Sequence, residues 1–149
     1  MLTIKKYAAI DIGSNAVRLL IASIIEQKGQ PVKFKKTSLV RVPIRLGADV
    51  FLNGEISEDN QKRMLDTMTA FRLLMQSHKV ITYKACATSA MREADNGVEL
   101  SKLISKKAKI HIDIIGGEEE AAIIAATDLN SYIKEDKTYL YVDVGGGST

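Results

Sequence analysis

The sequence predicts an α/β fold built on a mixed sheet, and three observations carry that reading. Three strand-like segments follow one another near the N-terminus and are joined by tight turns. Helical and strand-like segments then alternate along the rest of the chain, an order in which crossovers generate parallel neighbours. Finally, an apolar strand that delivers an aspartate into a glycine-serine turn occurs twice, as Asp11-Ile12-Gly13-Ser14 and as Asp143-Val144-Gly145-Gly146-Gly147-Ser148-Thr149. Ligands in such sheets gather at the carboxyl ends of strands, where both turns are expected.

Residues 7–12 and 16–25 are apolar and strand-like, with Gly13-Ser14-Asn15 as the turn between them. After a second turn at Lys28-Gly29-Gln30-Pro31, Val32 and Phe34 alternate with lysines in a third strand that exposes one face, completing an antiparallel meander. A helix is expected over 57–77, because Glu58 and Asp59 suit a first turn and Met64, Leu65, Met68, Phe71 and Met75 recur at helical spacing. The methionines read as core filler rather than a cofactor box. A strand at 80–86, a helix at 95–107, a strand at 111–115, a helix at 118–129 and a strand at 139–144 follow. No low-complexity segment or internal boundary interrupts the 149 residues, which form one domain's worth of chain.

Nearly half of the chain, 46%, is apolar, enough for a sizeable core. The formal net charge of +3, with no arginine run interleaved with aromatics, argues against nucleic acid as a partner and suits an anionic small molecule or polymer. Lys33, Lys35 and Lys36, like Lys102, Lys106, Lys107 and Lys109, read as solvated faces. Cys86 is the sole cysteine, which excludes an intrachain disulfide and fits a reducing compartment. Apolar stretches fall far short of a membrane span and the N-terminus lacks a leader pattern, so no membrane partner and a cytoplasmic location are expected. His78 and His111 have no zinc-ligand spacing with Cys86, and no Gly-x-Ser-x-Gly elbow occurs.

Phosphate chemistry remains. A glycine-serine turn after a strand leaves backbone N–H groups free to point at phosphate oxygens, and its glycines are expected to supply positive φ and close approach. Asp11 and Asp143 cannot bind phosphate themselves; they suit holding a divalent cation or orienting a water. Gly116-Gly117-Glu118-Glu119-Glu120 opens a helix, where acids are stabilised by the macrodipole or, alternatively, one of them serves as general base. Ala87-Thr88-Ser89-Ala90-Met91-Arg92 offers two hydroxyls and a guanidinium suited to clamping phosphate, and Arg45 is a weaker candidate of the same kind.

Asp11-Ile12-Gly13-Ser14-Asn15 with Arg18-Leu19, Ala87-Thr88-Ser89-Ala90 with Arg92, Ile115-Gly116-Gly117-Glu118-Glu119-Glu120-Ala121 and the Asp143 to Thr149 loop come in one order. As a set they resemble the N-terminal motifs of the exopolyphosphatase/guanosine pentaphosphate phosphohydrolase family. The likeness covers the whole chain. It implies a ribonuclease-H-like domain of the actin, Hsp70 and sugar-kinase superfold, with residues 1–149 as the N-terminal domain and a second domain completing the cleft.

The resemblance further implies Glu120 as catalytic base and Asp143 as the acidic residue near metal and attacking water. It places Gly145, Gly146, Gly147 and Ser148 in a phosphate-cradling loop, Asp11, Gly13, Ser14 and Asn15 in the opposing one, and Arg92 on the cleft wall. Magnesium is the implied cofactor, with Asp11 and Asp143 as metal residues. Two positions depart from the family pattern: Ala122 stands where arginine is frequent, and Gly116 where serine is commonest. The expected activity is hydrolysis of terminal phosphoanhydride bonds in inorganic polyphosphate or guanosine pentaphosphate, with the isolated 149-residue chain inactive. The alternatives are a non-catalytic sensor of the same anions and an ATP-dependent kinase of the same superfold. Oligomeric state stays open, a homodimer among the options.

Overall fold

A computed structural model describes residues 2–126, 142 and 144–147. Asp143, Ser148, residues 127–129 of the expected last helix and most of the strand expected at 139–144 lie outside the described residues. The chain runs β1 (Leu2–Ile12), β2 (Val17–Gln27), β3 (Lys33–Val42), α1 (Leu46–Asn53), α2 (Glu58–Ser77), β4 (Thr82–Ala87), α3 (Ser89–Glu93), α4 (Gly97–Ala108), β5 (Asp113–Ile114) and α5 (Gly117–Ala125). The five strands form one sheet in the order β3-β2-β1-β4-β5. β1, β2 and β3 are the antiparallel meander, and β4 and β5 add in parallel. Among the described residues no helix is long and apolar enough to cross a membrane.

Alternation in the strands decides which face is packed. Ala8, Ile10 and Ile12 on β1 stand opposite Ile21, Leu19 and Val17 on β2, and all six are buried in one core cluster. Helix α2 lays Met64, Met68, Phe71 and Met75 into that cluster, and α4 adds Leu100, Ile104 and Ala108. The intervening residues point to the opposite face. Asp11 is paired in register with Arg18 on β2 and with Cys86 on β4, so these three share that second face at the carboxyl end of β1.

Helices α1 and α3 are absent from the sequence expectation, for a physical reason. With eight and five residues they are too short to show a helical apolar period. Helix α1 is instead bounded by Arg45 at φ 63° and Gly54 at φ 78°, both left-handed. Strand β5 is only two residues long rather than spanning 111–115, although Ile110, Ile112 and Ile115 are buried around it. Helix α4 begins at Gly97, after Asn96 has turned its side chain to hold the Ile56 backbone through both N–H (2.9 Å) and C=O (2.8 Å).

The start of α2 is fixed by Asp49 on α1. Its Oδ2 accepts from the Ser57 N–H (3.0 Å), the Ser57 hydroxyl (2.6 Å) and the Asn60 side-chain amide (2.8 Å). The Ser57 hydroxyl, ahead of the other contacts, holds the Asp49 carboxyl below its ordinary value of 3.8. A depressed carboxyl contributes stability above its unfolded value, and that contribution is lost as pH falls through the folded one. Asp49→Ala is therefore expected to cost about 1–2 kcal/mol at neutral pH. The gap between variant and wild type should close in melts taken well below pH 3.8. A gap independent of pH would show that the carboxylate charge is not what holds this junction.

Candidate functional site

β1 and β4 are parallel neighbours, so the segments that leave them emerge side by side. After β1, the Gly13 N–H donates to Ala16 O (3.1 Å) and closes the turn. The carbonyls of Ser14 and Asn15 accept from the N–H groups of Gly47 (2.8 Å) and Arg45 (2.9 Å), at the start of α1. With its carbonyls drawn to α1, the turn leaves the Ser14 and Asn15 N–H groups without an acceptor among the described residues. Two adjacent unspent amides are suited to an anion. After β4, the Thr88 N–H donates to Ile12 O (3.1 Å), and the buried Ser89 hydroxyl meets the Ser14 hydroxyl at 2.9 Å, joining the two segments.

The second glycine loop comes to the same place. A Cβ on Gly146 would lie 3.5 Å from Ser14 Cβ and 3.9 Å from Asn15 Cβ, so the loop sits in contact with the first turn. Its glycines are explained by closeness and not by left-handed backbone. Gly13, Gly146 and Gly147 all lack the positive φ expected of them. At Gly147 the constraint is steric: an added Cβ would collide with the Phe51 ring and lie 2.9 Å from the Ser14 hydroxyl. At Gly13 an added Cβ would meet only Ala16 O, at an ordinary 3.5 Å.

A cleft of about 630 Å³ collects these groups. Asp11, Gly13, Ser14, Asn15, Glu120, Gly145 and Gly146 line it, with apolar lining from Ala9, Ile123 and Ile124. Glu120 is half-buried in the first turn of α5, whereas Glu118 and Glu119 are exposed and do not line the cleft. The Glu119 carboxylate lies 4.0 Å from the Lys84 ammonium. One oxygen of Asp11 is paired with the Arg18 guanidinium at 3.0 Å.

Arg92 is placed differently from its expected position. It is not among the residues lining the cleft; its guanidinium donates to the Ile115 carbonyl (2.9 Å) and lies 3.8 Å from the Glu93 carboxylate. In that position it braces the segment between β5 and α5 that leads to Glu120. Arg18, Lys84 and Cys86 line the cleft as well, outside the set of site residues the sequence motifs suggest. Arg18 was within reach, since a tight turn after Ile12 pairs it with Asp11 in register. Lys84 and Cys86 depend on the parallel pairing of β1 with β4, which no local pattern announces. Burial pushes the Cys86 thiol above its ordinary 9.0, which keeps it from acting as a thiolate at neutral pH.

Magnesium takes oxygen ligands, commonly one or two carboxylates completed by water and substrate phosphates. Asp11 brings such a carboxylate to the cleft, which fits a metal completed by water and substrate phosphate; Asp143, the second expected metal residue, lies outside the described residues. Among the described residues there is no cluster of three or more histidine, cysteine or carboxylate side chains that would cage a metal without substrate.

The chain matches the model of the Ppx/GppA phosphatase family over residues 21–149. It is 34% identical over 146 residues to a bifunctional 3-dehydroquinate synthase/phosphatase of Fusobacterium nucleatum, covering 95% of this chain and 22% of that protein. It is 32% identical to a guanosine-5'-triphosphate,3'-diphosphate pyrophosphatase of Photobacterium profundum, covering 96% of this chain and 28% of that protein. It is 25% identical to exopolyphosphatase 1 of Mycobacterium tuberculosis, covering 96% and 40%. The crystal structure of the Aquifex aeolicus member of the Ppx/GppA family superposes with a TM-score of 0.72 at 30% identity, over 79% of this chain and 37% of that one. The chain thus spans less than half the length of each of these proteins. Its fold is the α/β, ribonuclease-H-like fold of these structural neighbours, with a mixed five-stranded sheet.

Proposed function

The chain belongs to the Ppx/GppA phosphatase family, and on that premise we propose that it supplies the catalytic face of a hydrolase that removes terminal phosphate from inorganic polyphosphate or guanosine pentaphosphate. The observation that carries this reading is the convergence of Asp11, the Ser14-Asn15 turn, Glu120 and the Gly145-Gly146 segment on one cleft. The names of the relatives support the substrate class, one being an exopolyphosphatase and another a guanosine-5'-triphosphate,3'-diphosphate pyrophosphatase.

In this mechanism water is the nucleophile. Glu120 takes a proton from it as the water oxygen bonds to the terminal phosphorus, and the bridging P–O bond breaks to release orthophosphate. The Ser14 and Asn15 amides, with the loop of Gly145, Gly146, Gly147 and Ser148, hold the charge that spreads over the equatorial oxygens. Asp143 orients the water or holds metal together with Asp11. Magnesium, when bound there, supplies Lewis-acid stabilisation of phosphate charge. A second domain in the full-length protein closes the cleft and excludes solvent, a proposal that rests on the greater length of the relatives. A reducing, cytoplasmic setting suits the single half-buried cysteine.

Phosphate release from polyphosphate and from guanosine pentaphosphate by the full-length protein, with products identified by mass spectrometry, tests the proposal. Binding without release of phosphate from either would replace it with an anion sensor. On the same reading, the 149-residue chain alone should hydrolyse polyphosphate poorly or not at all. Turnover equal to that of the full-length protein would show the second domain to be dispensable.

A further inference from the structure

Three glycines in succession, Gly145 to Gly147, give a loop with large conformational freedom and no side chain to anchor it. Something outside the loop must hold it against the first turn. Phe51, on the fourth position after Gly47 along α1, is placed to do so. Its ring lies against Gly47, where an added Cβ would be 2.7 Å from Cε2, and against Gly147, where an added Cβ would collide with the ring. The same two glycines abut Ser14: the Cβ built on Gly47 falls 3.0 Å from Ser14 Cβ, and that on Gly147 falls 2.9 Å from the Ser14 hydroxyl. The Gly47 N–H also holds the Ser14 carbonyl at 2.8 Å. A flat ring thus fits between two residues that lack a side chain, beside Ser14.

We propose that Phe51 is a positioning residue that seats the second phosphate loop against the Ser14 turn. The proposal rests on the functional reading for what the loop does, and on geometry alone for where it sits. Phe51 is 46% exposed and is not part of the buried core cluster, so its contact with Gly147 is not a by-product of core packing. Ser14 and Gly146, which both line the cleft, would present their amides to the same anion only while the Phe51 contact one residue further on holds the loop in place, and displacement of a positioning group by about 1 Å can cost a hundredfold in rate.

The test uses the full-length protein with Phe51→Ala and Phe51→Leu, the latter refilling most of the space. Without substrate, hydrogen exchange at 145–147 should quicken about tenfold or more in Phe51→Ala, while exchange in the core of β1 and β2 stays unchanged. With polyphosphate, kcat/KM should fall about tenfold to a hundredfold in Phe51→Ala and recover largely in Phe51→Leu. Unchanged exchange at 145–147 overturns the proposal, as does exchange that rises equally in β1 and β2, which would mark a purely structural role. Quickened exchange with unaltered kcat/KM overturns it as well. If the wild-type protein hydrolyses neither substrate, the functional reading fails, and the exchange measurement still decides whether Phe51 seats the loop.

Discussion

Glu120→Gln in the two-domain protein proposed above is expected to slow phosphate release about a hundred- to ten-thousandfold while substrate affinity survives. Three glutamates occupy the first turn of α5, and all three are favourably placed against the positive end of the helix dipole. Such an exposed contribution is only about 0.3–1 kcal/mol for each, and it is common to the three. What separates them is position. Glu120 is half-buried and lines the cleft shared with Asp11 and the Ser14 turn, while Glu118 and Glu119 are exposed and do not line it. Glutamine keeps the size and polarity of the side chain but takes no proton from water at neutral pH. Glu118→Gln is the matched control, since it removes the same helix-terminal charge without touching the cleft. Phosphate release and affinity measured for both variants decide the assignment. Equal losses at the two positions, or normal turnover in Glu120→Gln, would reject Glu120 as the base.

The parts of this site that were legible in the sequence are those set by local rules. The α2 stripe of Met64, Met68, Phe71 and Met75 repeats often enough over twenty residues to show its period, and it is buried as that period requires. The Asp11 turn and the α5 start were readable as strand-turn and turn-helix junctions, and both reach the cleft. The rest depends on pairings between distant segments. Ser89 meets Ser14 across 75 positions of chain, and Lys84 and Cys86 enter the cleft through the β1–β4 register. Arg92 illustrates the converse. A guanidinium near a phosphate loop suggests a clamp, yet an unspent carbonyl at Ile115 lay closer. At Gly147 the reason for glycine is not a left-handed backbone but Phe51, which forbids a side chain there and lies in a helix too short to show a local period.

Phe71→Ala is expected to destabilise the domain by about 3–5 kcal/mol, the largest stability effect anticipated for a single side chain here. Phe71 is 1% exposed and lies among the largest fully buried side chains, within the stripe by which α2 rests on the sheet. Its partners along that stripe are the methionines Met64, Met68 and Met75, which are flexible enough to lean into part of a void. That relaxation places the loss towards the lower part of the range, and Phe71→Leu should lose considerably less because it leaves a smaller cavity. Thermal melts of the two variants against wild type measure the effect. The ring belongs to the packed face of the sheet, whereas Asp11 and the cleft belong to the other. Phosphate release per folded molecule should therefore be unaltered in Phe71→Ala at temperatures below its transition, the mirror image of Glu120→Gln, which should melt close to wild type and turn over slowly. A loss of turnover in fully folded Phe71→Ala would mean that the packing of α2 against β1 sets the position of the Asp11 turn, and that the two faces of the sheet are mechanically coupled.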